Sequence, residues 1–328
     1  MFQTMQIAPD LIQGPEFSAT EFHALAPSER PWTLPQKIWD EIHKKRGLRG
    51  QDCCVAVIDD GCELSHENFK DENGESRIIY ANSHVRGESP STGGTHGTHV
   101  TGTAAGTFTG VAPSARIVVL KGLNSRGSGS SGDLTNCGLE INEMVASGKI
   151  SQKIVECNMS YGGGYYQPQE DQLEQAERLG IGNNVAAGNE GNDGARPTCG
   201  HPGTTNFGTT VGSIDANGNI SRFSSQCKQI DICAGGGGIL SSTVNGRYGL
   251  MSGTSMATPF ITGAKAILRQ AMLRSGRPVI SSGAEWNEFF RANALDRGSN
   301  GHDWKFGFGV LDFATLLTWF AEGELTWI

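Results

Sequence analysis

Gly253-Thr254-Ser255-Met256-Ala257-Thr258-Pro259 stands between a glycine run, Ala234-Gly235-Gly236-Gly237-Gly238, and an apolar pattern of helical spacing. Ile261, Ala264, Ile267, Leu268 and Met272 supply that pattern. Ser255 is therefore expected where a loop turns into a helix, with Pro259 in the first turn. A serine placed there has a backbone N–H with no intrahelical acceptor, and the helix dipole favours negative charge beside it. A nucleophile whose intermediate carries an oxyanion needs both. An ordinary N-cap serine has the same setting, and this segment taken alone favours the cap.

The bulk composition narrows the classes. A chain of 328 residues can fill one large α/β domain or two small ones. Its 46 glycines are about twice the usual share of roughly 7%, which suits tight turns and close backbone approaches. A net charge of −8 argues against non-specific nucleic-acid binding, and the one basic cluster is the short Lys44-Lys45-Arg46. No apolar run approaches the roughly 18 residues of a membrane span. Met1 to Glu16 has no basic start followed by an apolar stretch, so no secretory signal is read there. The eight cysteines (Cys53, Cys54, Cys62, Cys137, Cys157, Cys199, Cys227, Cys233) form no Cys-x-x-Cys pair and have no histidine at zinc spacing. No metal or cofactor is expected. Reduced thiols and a cytoplasmic location are the expectation, although counting alone does not exclude disulfides.

Working back from Ser255, three other places carry polar groups at the ends of apolar runs. Cys53-Cys54-Val55-Ala56-Val57-Ile58 is a continuous apolar run that closes on Asp59-Asp60-Gly61. Such a run fits a strand buried on both faces of a parallel sheet. Carboxylates at its C-terminal end lie where open α/β sheets place their sites, although an Asp-Gly turn accounts for them equally well. Next, Thr95-His96-Gly97-Thr98-His99 opens a run of small residues ending at Gly106. Two histidines at that spacing could ligate a metal, but the glutamate of a His-Glu-x-x-His motif is missing. A strand is predicted at Arg116–Leu120, a helix from about Asp133 to Ser147, and a strand at Lys153–Ser160. An exposed Gln- and Glu-rich helix over 168–179 precedes a fourth strand, Asn183–Ala187, which ends at Gly188-Asn189-Glu190-Gly191. Helices are also expected over 36–46, with Ile38, Trp39 and Ile42 facing inward, around Trp286, Phe289 and Phe290, and around Leu316–Phe320. This alternation implies right-handed crossovers: an α/β three-layer sandwich, with a mostly parallel central sheet and helices on both faces. Residues 36–328 are read as one domain. Residues 1–35, with Pro9, Pro15, Pro27, Pro31 and Pro35, are read as an extended arm upon it.

Together, Val57-Ile58-Asp59-Asp60-Gly61, His96-Gly97-Thr98-His99-Val100 and Gly253–Pro259 resemble the subtilisin-like serine proteases, in the order Asp, His, Ser over about residues 36–320. The resemblance implies a serine endopeptidase acting through an acyl-enzyme on peptide or protein substrates. It places Ser255 as nucleophile, His96 as general base and then acid, Asp59 as the group orienting the imidazole, and Asn189 as an oxyanion donor. His99 matches the family's structural histidine. Gly127-Ser128-Gly129 and Ser160-Tyr161-Gly162 resemble the two strand edges that clamp an extended peptide. Gly162, Gly163 and Gly200 imply a wide, apolar pocket for the residue before the cleaved bond, and Glu190 at its rim would also admit Lys.

The chain also departs from the family. Ala105-Gly106-Thr107-Phe108-Thr109 replaces the longer loop that holds a tight calcium ion in secreted subtilisins, and Asn68 stands where that site has an aspartate, so the site is expected to be absent. Asp231, with carbonyls near Asn206 and Gly208, is the remaining candidate for a weak cation site. Asp60 replaces a usual Ser or Thr and adds a negative charge that would raise the pKa of His96. The arm, with Thr33-Leu34-Pro35, is similar to the extension of intracellular subtilisins, which blocks the cleft until removed. Two other functions fit the same fold: a dedicated peptide-processing or transpeptidating enzyme, and a non-catalytic scaffold.

Overall fold

The computed structural model describes residues 3–7, 11–12, 16–25, 40–192 and 197–311. The arm supplies three short strands, β1 (Thr4–Gln6), β2 (Leu11–Ile12) and β3 (Phe17–Ser18), and a helix, α1 (Ala19–Ala24). Then follow β4 (Cys53–Asp59), β5 (Ile78–Ser83), α2 (Thr95–Ala105), β6 (Arg116–Lys121), β7 (Ser128–Ser130), α3 (Ser131–Ala146), β8 (Ile154–Met159) and β9 (Gly162–Gly163). The remaining elements are α4 (Gln167–Arg178), β10 (Ile181–Ala186), β11 (Thr209–Ile214), β12 (Ile230–Gly235), β13 (Ile239–Thr243), β14 (Arg247–Ser252), α5 (Thr254–Arg274) and α6 (Gly283–Asn293).

Seven strands form one parallel sheet in the order β12-β11-β10-β8-β4-β6-β5. Strand β4 is buried at every position. Its side chains alternate between two cores because successive Cβ atoms point to opposite faces. Cys53, Val55 and Val57 join Val100, Ala104, Ala257 and Ile261 in one core, while Cys54, Ala56 and Ile58 join Leu134, Ile141 and Leu173 in the other. Each fully buried Val, Leu or Ile side chain contributes about 1.5–3 kcal/mol, so both layers hold the central strand. The strand order reverses around β4, whose C-terminal end therefore opens into the crevice where such sheets bind ligands.

Helix α5 crosses under the sheet and is pinned by buried charges. Arg269 donates to Glu156 at 2.8 Å, Lys265 lies 3.6 Å from the same carboxylate, and Asn184 donates to it at 2.9 Å. Pro259 falls inside this helix rather than in its first turn, because the helix begins at Thr254. Having no N–H, it leaves the Ser255 carbonyl without its usual i+4 donor. The Ser160 hydroxyl takes that place at 3.1 Å. The proline thus couples the helix start to the end of β8.

Other expectations change with burial. The helix predicted as exposed, α4, buries Gln169, Glu170, Gln172, Leu173 and Ala176 against its neighbours. Its polar composition conceals a packed face, since Gln169 donates to the Tyr161 hydroxyl at 2.9 Å. In the segment 36–46, the described part is a single π-helical turn, Asp40–Lys45, with Ile42 buried. Ile38 and Trp39 lie outside the described residues, as does the helix expected around Leu316–Phe320. The expectation of reduced thiols holds for six buried cysteines but not for Cys199 and Cys227, which form a disulfide. Burial pushes the Cys54 and Cys62 thiols up to about 12, so they behave as small apolar groups.

Candidate active site

The polar groups singled out in the sequence meet at the C-terminal edge of the sheet. The register pairs Ile58 with Met159, which sets Asp59 level with Ser160. Ser160 in turn touches α5 twice: its hydroxyl donates to the Ser255 carbonyl, and the Ser255 hydroxyl donates to the Ser160 carbonyl at 3.4 Å. Ser255 is in the first turn of α5, among the N–H groups that have no intrahelical acceptor, and is almost fully buried.

His96 occupies the first turn of α2, and its Nδ1 lies 2.8 Å from Asp59 Oδ1. The same Asp59 oxygen accepts the Asp60 N–H at 2.7 Å. The helix can approach this closely because residue 97 is glycine: a Cβ there would run into the Gly61 carbonyl and lie 3.0 Å from Asp59 Cβ. Asp60 Oδ1 accepts the Gly97 N–H at 2.8 Å, a carboxylate at a helix N-terminus. Burial first, and then the neighbouring Asp59 charge, push the Asp60 carboxyl well above the ordinary range. His99, by contrast, is fully enclosed, its Nε2 at 2.9 Å from the Ile239 carbonyl, and burial pushes its pKa down to about 3. It is a packed histidine between α2 and the β13–β14 hairpin.

Asn189 follows β10. Its Oδ1 accepts both the Thr254 N–H and the Thr254 hydroxyl at 2.9 Å, which directs the amide group as the donor end. Sequence reasoning did not assign Thr254 this part, though it stands beside Ser255. It also missed Lys121, a fully buried lysine that donates to the Asp60 and Thr92 carbonyls and pairs with Glu88 at 3.0 Å. A lysine closing the apolar run Ile117–Leu120 was the available signal.

A cavity of about 360 Å³ adjoins Ser255, lined by Ser160, Gly162, Gly163, Glu190 and Gly200 together with Gln6 of the arm. Strand β7 begins at Ser128; Gly127 lies just before it with a left-handed φ of 73°. Tyr161 turns its side chain into the core, so only its backbone borders the cleft. The arm strand β1 lies between the two edges. It pairs antiparallel with β7 (Met5 opposite Gly129) and with β9 (Met5 opposite Gly163), and Ile7 donates to the Gly127 carbonyl at 2.9 Å. Strand β2 pairs with β14 at Ser252 and Met251, three and four residues before Ser255.

Asp59, Asp60 and His96 are the only His, Cys, Asp and Glu side chains among the described residues grouped closely enough for a metal ion. Asp231, the other candidate, accepts the Thr210 N–H at 2.7 Å, while Lys265 donates to the adjacent Thr209 hydroxyl at 3.0 Å. At the shortened loop, the buried Arg77 guanidinium donates to the carbonyls of Asn68 (3.0 Å), Ala105 (2.6 Å) and Ala115 (2.8 Å). A side-chain cation of the chain itself thus holds these carbonyls. No helix among the described residues is long and apolar enough to cross a membrane.

Residues 50–309 match the family described as Subtilase family. The chain is 34% identical over 246 residues to an intracellular serine protease of Paenibacillus polymyxa, covering 68% of each chain. It is 33% identical over 237 residues to the major intracellular serine protease of Bacillus subtilis, covering 68% of this chain and 70% of the relative. Subtilisin E of Bacillus subtilis is 34% identical over 244 residues, covering 73% of this chain and 60% of the relative.

Proposed function

The chain belongs to the subtilase family as a subtilisin-like serine endopeptidase, and from that premise we propose that Ser255, His96, Asp59 and Asn189 carry the reaction. His96 takes the Ser255 proton as the oxygen attacks the peptide carbonyl. Asp59, on Nδ1, holds the tautomer that leaves Nε2 as base and stabilises the imidazolium. The oxyanion is met by the Ser255 N–H and the Asn189 amide. His96 then protonates the leaving amine, and water repeats the sequence on the acyl-enzyme. Replacing Asn189 by leucine is expected to lower kcat about 10²–10³-fold with little change in KM, the size known for such a donor in subtilisin, the type case of this effect. Steady-state kinetics on a chromogenic peptide check it.

The observation that carries the peptidase reading is β1 itself: an extended segment hydrogen-bonded on both sides by β7 and β9, beside Ser255. Main-chain pairing of this kind binds peptides with little regard to sequence, while pockets select side chains. Met5 is fully buried within the apolar cluster that includes Leu123 and Leu134. The glycines 162, 163 and 200 beside Ser255 support a preference for a large apolar residue before the cleaved bond. The arm holds this cleft as an inhibitor, since a tethered strand competes at an effective concentration in the ~mM range. Deleting residues 1–30 is expected to raise turnover of a Phe- or Leu-containing chromogenic peptide roughly tenfold or more. Equal activity with and without the arm would remove the inhibitory reading. Two relatives are named as intracellular proteases, which supports a cytoplasmic location; the Cys199–Cys227 disulfide is the feature that weighs against it.

A further inference from the structure

Past the β2 pairing, the arm touches β14 again, farther along the strand from Ser255. Strand β3 pairs antiparallel with the outer part of β14, Phe17 opposite Tyr248 and Ser18 opposite Arg247. Helix α1 follows at once, closed by a reciprocal capping box between Ser18 and Glu21. It delivers Phe22 face to face onto Tyr248, with ring centroids 3.8 Å apart and planes 10° from parallel. Phe22 is fully buried there, and Tyr248 and Leu240 share its cluster. The Glu16–Arg247 ion pair at 3.1 Å and a His23–Glu67 hydrogen bond at 2.9 Å frame the aromatic contact. Glu67 is itself positioned by the Tyr248 hydroxyl, 2.9 Å away, and His23 also meets the edge of Phe108 at 4.7 Å.

This surface combines a sheet edge, an aromatic seat and two charges of opposite sign, Arg247 and Glu67. We propose that the β14 edge with Tyr248, Leu240, Glu67 and Arg247 is an exosite outside the cleft, whose occupant is the arm segment Glu16–Leu25. The ligand class is a polypeptide that adds a short strand and then presents an aromatic side chain on one capped helical turn. The cleft strand and this segment hold the arm jointly, so each raises the local concentration of the other. Inhibition through this surface rests on β1 blocking the cleft, as proposed for the arm; binding at the surface does not.

The test uses the full-length chain carrying Phe22→Ala, which weakens the segment in cis without altering β1 or the catalytic groups. Labelled peptide Glu16–Leu25 is titrated against it and against the unaltered chain. The expected result is saturable binding to the variant and weak binding to the unaltered chain. Alanine in place of Phe22 in the peptide should cost about tenfold or more in affinity, as for a buried aromatic anchor. The variant should also turn over a small chromogenic peptide faster than the unaltered chain. A second chain with Glu16→Ala and His23→Ala, both outside the apolar seat, repeats the titration should Phe22→Ala disturb folding. Failure of the peptide to bind either variant, or equal binding of its alanine form, overturns the exosite. Peptide Gln3–Ile12 separates the two readings. Its inhibition of turnover, with no binding of Glu16–Leu25, would leave the cleft reading standing and remove the exosite. Binding of Glu16–Leu25 with no inhibition by Gln3–Ile12 would do the reverse.

Discussion

Ser255→Ala is expected to lower kcat on a chromogenic peptide by about 10⁶-fold, with KM nearly unchanged; the magnitude is that of the subtilisin nucleophile, the type case. The physical ground is the proposed role of Ser255 as the bond-forming oxygen, with substrate held by the same main-chain pairing that β1 makes with β7 and β9 and so independent of that hydroxyl. His96→Ala should cost about as much, and the double variant no more than either single one, because the proton and the oxygen move in one step. Activity that survives in Ser255→Ala at a hundredth of the original would exclude Ser255 as the nucleophile. The same pair of proteins, with and without chelator, tests the cation arrangement. Arg77 donates to carbonyls at the shortened loop, and Lys265 donates to the Thr209 hydroxyl next to Thr210, whose N–H Asp231 accepts. Turnover of the unaltered chain should therefore not depend on added calcium.

Asp59→Asn is expected to lower kcat by about 10⁴-fold, as in serine proteases where this carboxylate becomes an amide. The hydrogen bond of Nδ1 with Asp59, 2.8 Å long, decides which nitrogen of His96 carries the proton. An asparagine can turn its NH₂ group toward Nδ1, which places the proton on Nε2 and removes the base facing Ser255. The shape of the site should be retained, since α2 is held independently: Asp60 accepts the Gly97 N–H, and the Ser241 and Ser242 hydroxyls donate to the His99 and Thr98 carbonyls at 2.8 and 3.1 Å. An unaltered melting temperature together with the lost activity would confirm that the carboxylate acts on the histidine and not on the fold. Full activity would show that Asp59 does not set the tautomer.

The parts legible in the sequence are those written in local patterns. The run Cys53–Ile58 is apolar at every position because both faces of β4 are covered, whereas a strand with one wet face would alternate with polar residues. The three motifs around Asp59, His96 and Ser255 are readable because each is a short polar group at the end of an apolar element. Features that depend on distant contacts are not. Helix α4 reads as exposed because its buried partners are polar, and hydrogen bonds between side chains on different elements, such as Gln169 with Tyr161, leave no periodic trace. Pro259 lies deeper in its helix than the local pattern implies, because the helix start depends on Asn189 holding the Thr254 N–H, a contact across 65 positions. The Cys199–Cys227 pair is hidden in the sequence because six other cysteines are equally available as partners.

The sequence by itself determined the parallel α/β core and which polar side chains stand at its C-terminal edge, since these follow from burial periodicity and residue chemistry. The contacts by which residues 3–25 lie on the body were decided only by the tertiary structure. The arm's first strand takes both edges of the cleft and its helix seats Phe22 on Tyr248. Strand pairing is specified by backbone groups that every sequence carries, and a stacked aromatic pair by two residues 226 positions apart, 22 and 248. Neither is visible until the chain has closed on itself.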